Sequence, residues 1–139
     1  SLMMLDVDHF KSYNDTLGHA AGDLVLQSIA NLLRKNIRRP ADLVARYGGE
    51  EFVILLPETR QADAQLLAQR LLDQLAEKDI PHPQSVTASR ITISMGGISF
   101  IPQQLLPDLS MLERADSALY QAKAQGRNRW LWASMPDEG

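Results

Sequence analysis

The 139-residue chain contains no cysteine, so it can form no disulfide, no zinc-thiolate site and no thiol nucleophile. That absence permits an intracellular setting without requiring one. No apolar run approaches the ~20 residues needed to span a bilayer, and no basic-then-apolar signal segment opens the sequence, so a water-soluble module is expected. Positive charge is also in short supply: 14 Lys and Arg against 17 Asp and Glu leave a net charge of -3. A protein that coats nucleic acid through bulk charge is therefore not expected, while a local basic pocket for a small anion is. There are no repeats, low-complexity tracts or linkers. What remains is one domain's length of chain with 45% hydrophobic residues, enough for a single core.

Leu2-Met3-Met4-Leu5-Asp6-Val7-Asp8 begins as a continuous apolar run, read as a strand buried on both faces, and ends in acids. A short helix is expected from His9 to Gly18. Val25, Ile29, Leu32 and Leu33, widened by Leu26, place an amphipathic helix over about Ala21–Ile37, ended by Arg38-Arg39-Pro40. Next, Arg46-Tyr47-Gly48-Gly49-Glu50-Glu51-Phe52 reads as a strand, a tight turn and another strand, the paired glycines supplying positive φ. A second helix over about Gln61–Lys78 carries Ala64, Leu67, Leu71 and Leu75 on one face. Ile91, Ile93 and Met95 alternate as in a half-buried strand, then the parity switches to Ile98 and Phe100 at Gly96-Gly97, where a bulge or a close backbone approach is expected. After a Pro-bounded loop, Ser110 and Glu113 form a capping box for a last helix with Met111, Ala115, Ala118, Leu119 and Ala122 buried, stopped by Gly126. Arg129–Trp132 completes the order as an edge strand. The fold class is α+β: a ferredoxin-like mixed sheet with helices packed on it, in which the first strand neighbours the hairpin and Asp6 can face Glu50.

Two or three carboxylates converging with a backbone carbonyl make an oxygen-only site suited to Mg²⁺ or Mn²⁺, and magnesium so held usually shares phosphate ligands. Such a site serves phosphoryl or nucleotidyl transfer. Lys11 follows the first acids, and Lys123, Arg127 and Arg129 cluster at the end of the last helix. Plainer readings stand beside these: a solvated strand end for Asp6 and Asp8, two surface acids on a hairpin for Glu50 and Glu51, and dipole compensation for the basic cluster.

Asp6-Val7-Asp8-His9-Phe10-Lys11, Asn14-Asp15, Gly18-His19, Gly22-Asp23, Arg46 to Phe52, Ser94-Met95-Gly96 and Ala118 to Arg129, taken together and in order, resemble the GGDEF-domain diguanylate cyclases from residue 4 to about 130. That family's fold is similar to the palm-like core of class III nucleotidyl cyclases. The resemblance implies condensation of two GTP into cyclic di-GMP with loss of pyrophosphate, in a homodimer whose two domains face each other. It implies metal contacts from Asp6, the Val7 carbonyl and Glu50, with Glu50 helping to deprotonate the 3′-hydroxyl and Glu51 beside it as a ligand or base, the roles of the two catalytic glutamates staying undivided. Asn14 and Asp23 would read guanine, His19 would touch substrate, and Lys11, Lys123 and Arg127 would hold phosphates, with Gly48 and Gly49 making room for the nucleotide. Without the family, Asn14 and Asp23 read as helix caps and His19 as a surface residue. Arg39-x-x-Asp42, with Arg70, resembles the family's inhibitory product site. A non-catalytic domain that binds GTP or cyclic di-GMP is the alternative. The resemblance also leads to the expectation of a GGDEF domain over residues 1–133 that lacks its N-terminal helical segment, a flexible tail over 134–139, an upstream sensor or receiver domain, and a cytoplasmic location, free or as part of a membrane-attached protein.

Overall fold

The computed structural model describes residues 1–102 and 108–135. Five strands and four helices follow one another as β1 (Leu2–Val7), α1 (Phe10–Leu17), α2 (His19–Asn36), β2 (Leu43–Gly48), β3 (Glu51–Leu55), α3 (Gln61–Lys78), β4 (Ile93–Ile98), α4 (Asp108–Ala124) and β5 (Arg129–Trp132). The strands form one sheet in the order β2-β3-β1-β4-β5. Its first four strands pair antiparallel in the ferredoxin-like arrangement, and β5 adds to β4 in parallel. The sheet is therefore mixed, as expected.

β1 is central and all six of its residues are buried. Its odd positions, Met3, Leu5 and Val7, join Ile54, Ile93 and Met95 in the larger core, together with Val25, Ile29 and Leu33 of α2 and Ala64, Ala68 and Leu71 of α3. Its even positions, Leu2 and Met4, join Ile98 with Met111, Ala115 and Leu119 of α4 in a smaller core. The two faces of β1 thus serve two different helix layers. Asp6, an even position, belongs on the α4 side.

The same logic corrects the reading of β4. This strand is buried on both faces, not one, and its pairing with β1 runs from Ile93 to Ile98 without a shift, so there is no bulge and no change of parity. Close approach is the cause instead. A Cβ on Gly96 would lie 2.1 Å from the Leu119 backbone nitrogen of α4, and a Cβ on Gly97 would lie 2.3 Å from the Trp132 ring on the other face. The apolar alternation is interrupted because both neighbours need the space of a side chain.

The helices match their expected spans within two residues at nearly every end. One start differs: α4 begins at Asp108, which puts Ser110 inside the helix instead of at its N-cap, so the proposed capping box does not define this end. At the other end the Gly126 amide bonds to the Lys123 carbonyl and the Arg127 amide to the Ala122 carbonyl, with Gly126 at φ 123, which is the Schellman stop expected of that glycine. Of the Pro-bounded loop, residues 103–107 lie outside the described residues, as do 136–139 of the expected tail. No helix among the described residues is long and apolar enough to cross a membrane.

Candidate active site

The end of β1, the β2–β3 turn and the C-terminus of α4 meet at one end of the sheet. Asp6 is 5% exposed, and its Oδ2 accepts a 2.5 Å bond from Lys123 Nζ. Its partner across the β1–β3 ladder is Glu51, not Glu50. Glu50 lies in the turn, and its carbonyl accepts the Val7 amide at 3.2 Å. Both glutamates are near enough to influence Asp6, whose pKa is pushed up to about 6. Burial is the largest cause, and the Glu50 and Glu51 charges add to it, while the hydrogen bond and charge of Lys123 pull the other way. A single ammonium in direct contact thus fails to offset burial and two neighbouring carboxylates. Burial is what chiefly keeps this acid high.

The turn itself is open. Gly49 has φ 50, and a Cβ on either Gly48 or Gly49 would meet nothing within 4 Å. Arg46 bridges the turn by donating from Nε to the Gly49 carbonyl at 2.7 Å. The register shift between Arg46 and Gly48 in the β2–β3 pairing leaves Tyr47 as an exposed bulge residue.

Of the other expected phosphate contacts, Arg127 stands near His9, whose pKa is lowered by burial first and then by the Arg127 charge. Lys11 is exposed on the first turn of α1. Among the positions expected to read the base, Asn14 packs against Gly22, where a Cβ would fall 1.8 Å from Asn14 Oδ1, so α2 needs glycine there to let α1 come close. Asn14 Oδ1 is buried and has no partner among the described residues. An orphaned acceptor is costly unless a ligand or water supplies a donor. Asp23 is exposed and lines a cleft of about 720 Å³ between α2 and β2, which also involves Asp42, Arg46 and Phe52. That cleft is not lined by Asp6, Glu50 or Lys123. His19 is exposed at the start of α2.

Arg39 and Asp42 do come together. The guanidinium donates to Asp42 at 3.2 Å, to the Thr59 hydroxyl at 2.6 Å and to the Pro57 carbonyl. Arg70 is exposed on α3 and is not among the partners of Arg39.

The sequence profile of the family described as "Diguanylate cyclase, GGDEF domain" matches residues 1–129. The chain belongs to the GGDEF domain family. It is 43% identical over 129 residues to diguanylate cyclase A of Treponema denticola, covering 93% of this chain and 34% of that protein. It is 41% identical over 128 residues to the response regulator PleD of Caulobacter vibrioides, covering 92% and 28%. The chain therefore spans about a third or less of these curated relatives. Among solved structures, the GGDEF domain of DgcB from Caulobacter crescentus in complex with c-di-GMP aligns with a TM-score of 0.82 at 33% identity, covering 94% of this chain and 75% of that one. The active GGEEF domain of a diguanylate cyclase from Vibrio cholerae aligns with a TM-score of 0.81 at 33% identity, covering 97% and 83%. The α+β palm-like fold is thereby established.

GGDEF diguanylate cyclases depend on divalent metal, and the residues of this GGDEF domain fit one. Among the described residues no three His, Asp or Glu side chains cluster as a ready-made cage. A magnesium site of one or two carboxylates, a carbonyl and phosphates needs no such cage. The donors are all oxygen, and Asp6 stays raised even against Lys123, so a second positive species would relieve the cluster. Three features escaped sequence reading. The bridge from Arg46 to the turn is one. The others are the buried His82, whose Nε2 bonds to the His9 carbonyl at 2.9 Å with its ring edge-on to Tyr13, and the buried network around Asp8. Only Asp8 carried a visible signal, as the second acid of Asp6-Val7-Asp8.

Proposed function

We propose that this domain is a diguanylate cyclase that condenses two GTP into cyclic di-GMP and releases two pyrophosphates. The observation that carries this reading is the meeting of Asp6, Glu50, Glu51 and Lys123 at one end of the sheet, where burial and the two glutamates hold Asp6 up in spite of Lys123. In each half-reaction the 3′-hydroxyl of one GTP attacks the α-phosphorus of the other, a new 3′–5′ ester forms and pyrophosphate leaves. A Mg²⁺ or Mn²⁺ held by Asp6, the Val7 carbonyl and Glu50 would supply charge stabilisation on the triphosphate and acidify the attacking hydroxyl.

The residues of this chain do the rest. Lys123 and Arg127, with Lys11, hold the phosphates, and as Lys123 turns to a phosphate it gives up one oxygen of Asp6. Glu50 and Glu51 take the 3′-hydroxyl proton and screen the site. Asn14 and Asp23 read guanine, with the unpartnered Asn14 Oδ1 accepting from an N–H of the base edge, and His19 adds a substrate contact. Gly48 and Gly49 leave the nucleotide a bare turn to lie on. One chain holds one GTP, so closing the ring requires two copies face to face, brought together by an upstream sensor or receiver domain.

Arg39, Asp42 and Arg70 form the product site in this reading. Since Arg39 is already bonded to Asp42, Thr59 and the Pro57 carbonyl, product must exchange some of those bonds for its own. Inhibition by cyclic di-GMP should accordingly be weaker than a free arginine would give, and absent in Arg39→Ala with turnover kept.

The test is to incubate the full-length protein with GTP and Mg²⁺ and identify products by chromatography, beside Glu50→Ala. Cyclic di-GMP from the parent and none from Glu50→Ala is the expected result. GTP binding without any product would overturn it in favour of a regulatory nucleotide-binding domain.

A further inference from the structure

Asp8 lies two residues past Asp6 and is only 2% exposed, yet it takes no part in the acid cluster. Its Oδ1 accepts the Ser94 hydroxyl at 2.6 Å, and its Oδ2 accepts the Thr92 hydroxyl at 2.7 Å and the Asn128 backbone amide at 3.1 Å. We infer that Asp8 is a positioning residue that holds the turn between α4 and β5 so that Arg127 faces the phosphates of the substrate. The part concerning substrate rests on the diguanylate cyclase reading. The anchoring itself does not.

Three observations carry the inference. First, a buried carboxylate must be satisfied, and two of its three donors are Ser94 in β4, a strand paired along its whole length with β1, and Thr92 just before it, whose carbonyl accepts the Asp8 amide at 2.9 Å. The acceptor presented to Asn128 is therefore fixed relative to Asp6. Second, Arg127 and Asn128 are consecutive non-glycine residues in the left-handed region, at φ 63 and φ 51. Side chains disfavour that conformation, so the turn needs something to hold it. The Schellman bonds hold its start, and the Asn128 amide is the next backbone donor along. Third, fixing the amide that follows Arg127 constrains the backbone from which the arginine departs, and its charge is near enough to be felt at His9, just past the end of β1. The acids of Asp6-Val7-Asp8 thus reach the same helix end in different ways. Asp6 meets its lysine side chain, and Asp8 meets its backbone.

The experiment compares the parent, Asp8→Asn, Arg127→Ala and the double variant, reading hydrogen exchange at the Asn128 amide together with KM for GTP and kcat. Asp8→Asn should speed exchange at Asn128 roughly tenfold or more, raise KM about tenfold with a smaller change in kcat, and add little to Arg127→Ala, because both act through one group. Unchanged exchange at Asn128 overturns the anchoring. A lowered kcat at unchanged KM, or effects that add in the double variant, overturns the link to Arg127. Should Asp8→Asn not fold, Thr92→Val removes one donor and leaves the carboxylate, and it must shift exchange at Asn128 and KM in the same directions. If the parent makes no cyclic di-GMP, the functional reading fails while the exchange measurement still decides whether Asp8 anchors the turn.

Discussion

The chain contains the dipeptide Gly-Gly twice, and the two copies have opposite reasons for being there. At Gly48-Gly49 there is nothing to collide with: the turn projects from the sheet, and Gly49 is needed for its φ of 50. At Gly96-Gly97 the backbone is ordinary extended strand, and the space is what matters, since α4 closes over one glycine and Trp132 over the other. One pair leaves a surface bare. The other lets helix and ring close down on the sheet, which brings the end of α4, with Lys123 and Arg127, to the acids beside the open pair. A packed glycine pair is therefore part of how the open one gains its chemical neighbours.

The largest way to break this contrast is Gly96→Ala. Its Cβ would strike backbone atoms of α4, which cannot rotate aside, so a loss of about 3 kcal/mol or more is expected in denaturant unfolding. For Gly97→Ala the nearest atoms are all of the Trp132 ring, so it should cost less, about 1–3 kcal/mol, and Trp132→Leu should recover part of that loss while recovering none for Gly96→Ala. Equal losses and equal rescue would remove the distinction between helix backbone and ring.

The acid beside the open pair offers a second test. Asp6 has a folded-state pKa of about 6 against the ordinary 3.8, so the folded protein binds this proton more tightly than the unfolded chain does. Its contribution to stability is complete below about pH 4 and is lost as pH rises to about 6, by on the order of 2 kcal/mol. Urea titrations at pH 4.5 and 7 should show that loss in the parent and little of it in Asp6→Asn, and Mg²⁺ at pH 7 should restore part of it in the parent only. The same pH dependence in both proteins would mean that Asp6 is not the buried acid responsible.

The smallest stability effects are expected at the open pair. Gly48→Ala should change stability by no more than about 0.5 kcal/mol, and Gly49→Ala should cost about 1 kcal/mol for placing a side chain at positive φ. Both should nevertheless lower cyclic di-GMP formation at least about tenfold if the nucleotide lies on the turn. A folded Gly48→Ala with parental activity would leave that glycine without a role in substrate access.

Local order was largely legible. Periodicity placed α2 and α3 because their apolar stripes, such as Val25, Ile29 and Leu33, face one layer only. It misread β4 because a strand buried on both faces has no polar side to reveal its parity, and because glycines stood where helix and ring needed room. It also paired Asp6 with Glu50, whereas the register sets Glu51 opposite, since the turn takes up Glu50 and a one-residue shift decides which side chain crosses the ladder. The Asp8 anchor was out of reach because its donors, Thr92, Ser94 and Asn128, lie more than eighty residues away and none is unusual in its own segment.

By itself the sequence determined the strand and helix order, the carboxylates at the end of β1 and in the hairpin, and the family, because these depend on residue type and spacing along the chain. Only the tertiary structure decided that Lys123 closes on Asp6, that Asp8 serves the α4 turn instead of the acid cluster, and that Gly48-Gly49 is open while Gly96-Gly97 is packed. Those outcomes depend on which faces meet across the sheet. The same dipeptide can meet solvent in one place and a helix backbone in another.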